Sequence, residues 1–144
     1  MKIAINGFGR IGRIFLRNIL DKPNIQVVAI NDLTDTQTLA HLFKYDSVHR
    51  GFKGTVNFDT DNLFINDHQI KVLAERDPLA LPWKALDIDL VIESTGKFTS
   101  RQGAEMHLTA GAKQVIISAP STDKNVPTVV LAVNDGQIDL RSPV

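Results

Sequence analysis

Short apolar runs alternate with a stretch of helical periodicity in the first third of the chain. Residues 2–6 (KIAIN) and 25–30 (IQVVAI) are mostly apolar, and the second run is rich in β-branched residues, which is typical of buried strands. Between them, residues 10–20 predict a helix with one apolar face, formed at steps of three and four by Ile11, Ile14, Phe15 and Ile19. The pattern therefore begins with a strand–helix–strand unit.

The middle of the chain has a less regular pattern. A second helix is predicted after residue 33, with Thr34 or Asp35 as its N-cap and its end near Lys44. Apolar and polar positions then alternate in three short runs with turn residues between them, which predicts small antiparallel hairpins over residues 55–58, 63–65 and 69–73.

Apolar strands return in the last third. The predicted strands are residues 89–93 (DLVIE), 114–118 (QVIIS) and 128–133 (TVVLAV). A helix to about Thr109 lies between the first two, with Ser100 as its cap, or Thr99 in a capping box with Gln102. Strands that are apolar throughout need cover on both faces. The sequence thus predicts an α/β fold with a Rossmann-type, doubly wound, mostly parallel sheet and a small antiparallel hairpin insertion, as one domain over residues 1–144.

Composition narrows the function classes. A chain of 144 residues with a net charge of +0 lacks the basic excess that nucleic-acid and membrane-surface proteins usually carry, so we expect neither partner. It has no cysteine, which excludes disulfides and a cysteine-based zinc site, and its four scattered histidines predict no metal site. His107 is expected to be an exposed helix residue. No leader peptide precedes the first strand, so we expect a cytoplasmic location.

The stretch INGFGRIGR places Gly7, Gly9 and Gly12 at G-x-G-x-x-G spacing. Such a motif alone is equally typical of a tight turn, but here it follows a strand and opens a helix, as a phosphate cradle requires. Gly7 permits the bend, Gly9 lets backbone approach a pyrophosphate, and Gly12 lets the helix pack closely. The N–H groups of Arg10 and Ile11 then point at the phosphates.

Asp32 stands 20 residues after Gly12, at the end of the second strand. A carboxylate there accepts hydrogen bonds from the adenine ribose of a dinucleotide. The alternative is a turn or cap residue in the segment NDLT. A ribose 2′-phosphate about 4 Å from this carboxylate costs about 4 kcal/mol at an effective dielectric near 20, so we predict NAD rather than NADP as the cofactor.

Six ordered motifs give the chain a specific resemblance: INGFGRIGR, VVAINDLTD, KYDSVH, ERDP, ESTGKF and VIISAPS. Together they resemble the N-terminal NAD-binding domain of phosphorylating glyceraldehyde-3-phosphate dehydrogenase over essentially the whole chain. The resemblance implies these cofactor-binding residues: Gly7, Phe8, Gly9, Arg10, Ile11, Gly12, Asp32, Arg76, Thr95, Gly96, Phe98 and Ser118.

The resemblance also implies individual roles for the later residues. Arg76 resembles the arginine beside the adenine, although a solvated surface arginine is the simpler interpretation of its sequence context. Thr95, Gly96 and Phe98 line the adenosine side in the family, where the alternative is a helix-entry turn with a core aromatic. Ser118 resembles a residue near the nicotinamide, and its alternative is a plain strand-end serine.

Family members oxidise an aldehyde to an acyl phosphate, with a cysteine thiolate as nucleophile and a histidine as base. The resemblance places both groups beyond Val144, with the sites for glyceraldehyde 3-phosphate and phosphate, so we expect no catalytic residue and no turnover from these 144 residues. It also implies a homo-oligomer, since family members are tetramers. Two alternatives remain: the cofactor domain of an erythrose-4-phosphate dehydrogenase, and a free-standing NAD- or adenine-nucleotide-binding module.

Overall fold

The computed structural model describes residues 1–137 and 142–144. Within these residues seven strands form one sheet: β1 (Lys2–Asn6), β2 (Gln26–Asn31), β3 (Val56–Phe58), β4 (Asn62–Ile65), β5 (His68–Leu73), β6 (Leu90–Glu93) and β7 (Gln114–Ile117). The helices of the same region are α1 (Arg10–Ile19), α2 (Thr36–Lys44), α3 (Trp83–Leu86) and α4 (Arg101–Thr109), with 3₁₀ turns at Pro78–Ala80 and Asp135–Gln137.

The strand order is β3-β4-β5-β2-β1-β6-β7. β1 pairs in parallel with β2 and β6, and the parallel set continues to β5 on one side and β7 on the other. β3, β4 and β5 pair antiparallel. This arrangement confirms the predicted mostly parallel α/β sheet with an antiparallel hairpin insertion.

The sheet separates two hydrophobic clusters. One cluster, beneath α1 and α2, contains Ile3 and Ile5 of β1 with Leu16 and Phe43 of the helices. The other contains Ala4 of β1 and packs against α3 and α4. The central strand thus alternates its side chains between two covered faces, as the apolar pattern of residues 2–6 predicted.

The buried face of α1 differs from the prediction. Ile11 is exposed, whereas Gly12 and Leu16 are buried and Ile14 is only half-buried. A side chain at position 12 would collide with the Gly7 carbonyl, so the helix packs on the sheet through its glycine. This close approach turns Ile11 toward solvent.

The predicted strand at residues 128–133 is wrong. Residues 128–130 have no regular structure and the following four form turns. Leu131 and Val133 are 83% and 78% exposed, so neither face of this segment has the cover that an apolar strand needs. Beside β7, the N–H of Val115 instead donates to the carbonyl of Pro143.

Candidate functional site

A cavity of about 300 Å³ opens at the carboxyl ends of β1, β2 and β6. Because β1 lies between β2 and β6, the connection after β1 leads to β2 on one side, whereas the connection after β6 leads to β7 on the other. Ligands bind at this position in open α/β sheets. The residues that line the cavity are Asn6, Gly7, Gly9, Asn31, Asp32, Leu33, Glu75, Arg76, Ser94, Thr95, Lys97 and Phe98.

The glycine loop connects β1 to α1 and forms one wall of the cavity. Gly7 has φ +94°, and a Cβ on it would lie 2.7 Å from the backbone nitrogen of Thr95. A Cβ on Gly9 would meet no atom of the described residues within 4 Å. Gly7 and Gly12 are therefore fixed by packing, whereas Gly9 faces open space beside the cavity.

The N-terminus of α1 keeps its backbone donors free of side-chain caps. Gly9 is the N-cap, and in the described chain no side chain caps this helix and no acidic residue lies in its first turn. Arg10 and Ile11 are exposed there. Uncapped N–H groups at the positive end of the helix dipole form a site for an anion such as a pyrophosphate.

Phe8 anchors this loop to the protein interior. Its side chain is 1% exposed and stacks on Phe43, with ring centroids 6.0 Å apart. A guanidinium nitrogen of Arg13 donates to the Phe8 carbonyl at 3.1 Å. Since the ring lies in the core, a contact from Phe8 to a ligand can involve only its backbone.

Asp32 lines the cavity after β2 and is half-buried. One carboxylate oxygen accepts a hydrogen bond from the N–H of Phe8 at 2.7 Å, and the other accepts from the N–H of Thr34 at 3.0 Å. Asp32 is thus also a turn residue, and it ties the glycine loop to the end of β2. Each of its oxygens retains a further lone pair for a hydroxyl donor.

The opposite wall is formed by the segments after β5 and β6. Arg76, Thr95 and Phe98 all line the cavity, as expected, and Gly96 lies between the last two with φ +73°. Ser118 follows β7 and is exposed outside the lining residues, while its N–H donates to the Glu93 carbonyl at 2.9 Å. The sheet order therefore places Ser118 two strands from β1.

A larger groove, of about 1090 Å³, lies elsewhere on the sheet. It is lined mainly by β5, the turn before β4 and the start of α2. No glycine-loop residue contributes to it. Of these two cavities, only the smaller one is lined by both the glycine loop and Asp32, so it is the candidate site.

The expectation that His107 is exposed is wrong. The residue is 0% exposed, its Nδ1 lies 3.0 Å from Nε1 of Trp83, and its Nε2 lies 3.1 Å from a carboxylate oxygen of Glu93. Of the two caps predicted for α4, Ser100 is confirmed, because its hydroxyl accepts from the N–H of Gly103. The alternative, a capping box that starts at Thr99, is wrong.

Two kinds of feature are absent from residues 1–137 and 142–144. No helix in this part of the chain has the length and apolar character needed to cross a membrane. No group of three or more histidine and acidic side chains among these residues is arranged to hold a metal ion.

The strand, glycine loop and uncapped helix, with an acidic residue at the end of the neighbouring strand, define a dinucleotide-binding domain of the Rossmann type. The sequence matches the family described as "Glyceraldehyde 3-phosphate dehydrogenase, NAD binding domain" over residues 1–101. The chain belongs to this family, whose cofactor is NAD.

Similar proteins agree with this assignment. Glyceraldehyde-3-phosphate dehydrogenase of Thermotoga maritima is 56% identical over 139 residues, which cover 95% of this chain and 41% of that protein. The enzyme of Mycoplasma pneumoniae is 53% identical over 134 residues (93% and 40%), and that of Geobacillus stearothermophilus is 52% identical over 139 residues (96% and 41%). The chain thus spans about two fifths of the length of these relatives.

Proposed function

We propose that the chain binds NAD in the cavity at the carboxyl ends of β1, β2 and β6, as the cofactor-binding part of a phosphorylating glyceraldehyde-3-phosphate dehydrogenase. The observation that carries this proposal is the combination of an uncapped α1 N-terminus with the Asp32 carboxylate, both facing one cavity. A helix N-terminus favours a diphosphate, and a carboxylate favours sugar hydroxyls.

The pyrophosphate is assigned to the backbone N–H groups of Arg10 and Ile11. The open space beside Gly9 supports this assignment, because backbone and phosphate can approach there without a side chain between them. The helix dipole contributes about 0.3–1 kcal/mol per charge, so most of the affinity must come from several hydrogen bonds made together. Gly7 and Gly12 contribute by shaping the loop.

The ribose of the adenosine half is assigned to Asp32. Its oxygens already accept two backbone N–H groups, which fixes the carboxylate before a ligand arrives. A carboxylate held in this position accepts hydrogen bonds from the ribose hydroxyls, and its negative charge repels a 2′-phosphate. NAD is therefore favoured over NADP.

The rest of the cofactor is assigned along the carboxyl edge of the sheet. Arg76 lies beside the adenine, while Thr95, Gly96 and Phe98 line the adenosine side. Ser118, at the end of β7, is assigned to the neighbourhood of the nicotinamide. The strand order supports this direction, because β2 with Asp32 and β7 with Ser118 lie on opposite sides of β1.

The 144 residues hold and orient the oxidant and do not complete the reaction. When bound, NAD supplies the hydride acceptor for an aldehyde. Oxidation to an acyl phosphate through a thioester needs a thiolate, and the sequence contains no cysteine. We therefore expect no dehydrogenase turnover from this chain alone, with glyceraldehyde 3-phosphate and phosphate bound by residues outside it. Erythrose 4-phosphate is the alternative substrate.

We also expect the protein to be a homo-oligomer and to be located in the cytoplasm. The exposure of Val130, Leu131 and Val133 supports self-association, because contiguous apolar surface favours contact between copies. Light scattering of the chain over a range of concentrations tests this, and a monomer at every concentration would contradict it.

Calorimetric titration of NAD and NADP into the wild-type chain, Asp32→Ala and Asp32→Asn tests the assignment. Wild type should bind NAD and bind NADP far more weakly. Asp32→Ala should weaken NAD binding and reduce the preference for NAD over NADP. It also leaves the N–H of Phe8 without its acceptor. Asp32→Asn removes the charge and keeps one of the two acceptor oxygens, so it disturbs the loop less than Asp32→Ala and reports mainly on the NAD/NADP ratio. An unchanged ratio in both variants would reject the role of Asp32.

A further inference from the structure

Four buried polar side chains form one hydrogen-bonded network below the cavity. Asn6, Asn31, Glu93 and His107 are each at most 5% exposed, although they come from β1, β2, β6 and α4. The amide of Asn31 donates to the side-chain oxygen of Asn6 at 2.7 Å, and the amide of Asn6 donates to Glu93 at 2.5 Å. Burial of such groups costs free energy unless every member finds a partner, so the network specifies one arrangement.

Glu93 is the centre of this network. One carboxylate oxygen accepts from the amide of Asn6 and from Nε2 of His107, and the other accepts from the N–H of Thr95 at 2.8 Å and from its hydroxyl. Every partner is a donor, and this set of partners matches an ionised carboxylate, which only accepts.

His107 is held as a neutral donor by its two partners. The indole N–H of Trp83 can only donate, so Nδ1 of His107 must accept at 3.0 Å. The ring proton then lies on Nε2, which donates to Glu93. A second ring proton would face the indole N–H, so the geometry assigns the Nε2–H tautomer to His107.

The network reaches the cavity through Thr95, Asn6 and Asn31, which all line it. The Thr95 hydroxyl also accepts the N–H of Lys97 at 3.1 Å, and the neighbouring Ser94 hydroxyl donates to the Gly7 carbonyl at 2.7 Å. Glu93 itself does not line the cavity. It therefore holds Thr95, in the turn after β6, from behind the cavity wall.

We propose that Glu93 is a positioning residue for cofactor binding, which acts through the hydroxyl of Thr95 and whose orientation is set by His107 and Trp83. This inference rests on the proposed function, because the cavity it supports is the one assigned to NAD. The network connects the cavity wall to Trp83, which is fully buried and outside the lining residues. NAD binding should therefore change the environment of the Trp83 indole N–H.

A double-mutant cycle with NAD calorimetry tests the first part. Glu93→Gln places an amide N–H₂ against a set of donors, and NAD binding should weaken by roughly tenfold. Thr95→Val removes the hydroxyl contact to Glu93 and keeps the backbone N–H contact. If Glu93 acts through the Thr95 hydroxyl, Glu93→Gln in this background should therefore weaken NAD binding by less than about threefold. Glu105→Gln on the exposed face of α4 is the control for loss of one carboxylate, and it should leave NAD affinity unchanged. An equal loss in both backgrounds, or no loss from Glu93→Gln, would overturn the proposal.

The second measurement is an NMR titration of the wild-type chain with NAD, which needs no variant to fold. Trp83 is the only tryptophan, so a ¹H–¹⁵N spectrum contains one indole resonance that needs no assignment. Saturation with NAD should shift this resonance, and Glu93→Gln, if folded by circular dichroism, should reduce the shift. NAD binding by calorimetry without any shift of the indole would reject the proposal while leaving the proposed function intact. No NAD binding at all would reject the proposed function itself.

Discussion

Three helices begin at the carboxyl edge of the sheet, and they begin in different ways. The carboxylate of Asp35 caps α2 by accepting the N–H of Thr38 at 2.8 Å, and the hydroxyl of Ser100 caps α4. The first helix begins at Gly9 without a side-chain cap. A helix that serves only the fold satisfies its first N–H groups internally, whereas α1 leaves them for a ligand.

Capping α1 should produce the largest effect on binding. Gly9 has the extended backbone of an N-cap residue, so Gly9→Asp can place a carboxylate where the pyrophosphate is assigned. Repulsion at about 4 Å should weaken NAD binding by about a hundredfold or more, while the melting temperature stays equal or rises slightly. Calorimetry and thermal melting measure the two effects. Gly9→Ala is the matched control without charge, and it should weaken binding less. Equal NAD affinity in Gly9→Asp and wild type would remove α1 from the site.

A methyl group at Gly12, the third glycine of the loop, should mainly lower the free energy of unfolding. In Gly12→Ala the new Cβ would collide with the Gly7 carbonyl and lie 3.0 Å from the Ile5 side chain. We expect a loss of about 1–3 kcal/mol in the free energy of unfolding, measured by urea denaturation, together with weaker NAD binding. Gly9→Ala adds the same methyl group in open space and should change stability much less. Similar stability losses in both variants would contradict the different roles of the two glycines.

Removal of the cap on α4 should lower the stability of the fold and leave NAD affinity unchanged. Ser100→Ala deletes the acceptor for the N–H of Gly103, and we expect a loss of about 1 kcal/mol. NAD affinity should stay within about twofold of wild type, because the hydroxyl faces its own helix. Ser100→Thr retains the cap and should restore most of the stability. A large loss of NAD affinity in Ser100→Ala would show that α4 also serves the site.

The smallest expected effect is the acid sensitivity of the α2 cap. Hydrogen bonds from the backbone N–H and then the hydroxyl of Thr38 hold the pKa of the Asp35 carboxyl below its ordinary value. Because the pKa is lower in the folded state, Asp35 stabilises the fold at pH values above its unfolded pKa of about 3.9, and this contribution is lost as the pH falls through the folded value. Asp35→Ser retains an uncharged cap. Urea midpoints of wild type and variant should therefore converge as the pH falls below the unfolded pKa and through the lowered folded pKa. A difference that stays constant with pH would contradict the role of the charge.

Local patterns predicted the parts of the molecule that depend on nearby residues. The strands around residues 2–6, 25–30 and 89–93, the glycine loop and Asp32 follow from apolar runs and fixed spacings, and the structure places them as expected. Each of these patterns lies within one strand–loop–helix unit. Because the parallel strands end at the same edge of the sheet, the loops that follow them come together there.

Long-range contacts were not predictable from such patterns. His107 meets Trp83 and Glu93, which are 24 and 14 residues away, and no periodicity marks a polar residue that is buried for such partners. The exposed segment at residues 128–133 has the composition of a strand, yet its structure depends on which elements cover it. The orientation of α1 that exposes Ile11 follows from the close packing of Gly12 on the Gly7 carbonyl, a contact that periodicity does not show.

The insertion of Phe8 into the core has a kinetic consequence. The ring is held against Phe43 and the adjoining amide is held by Asp32, so the loop keeps one shape in the free protein. A preorganised loop loses little conformational entropy when the ligand docks. Association with the cofactor should therefore proceed as a single diffusional step, without a slower phase from loop rearrangement, in stopped-flow traces.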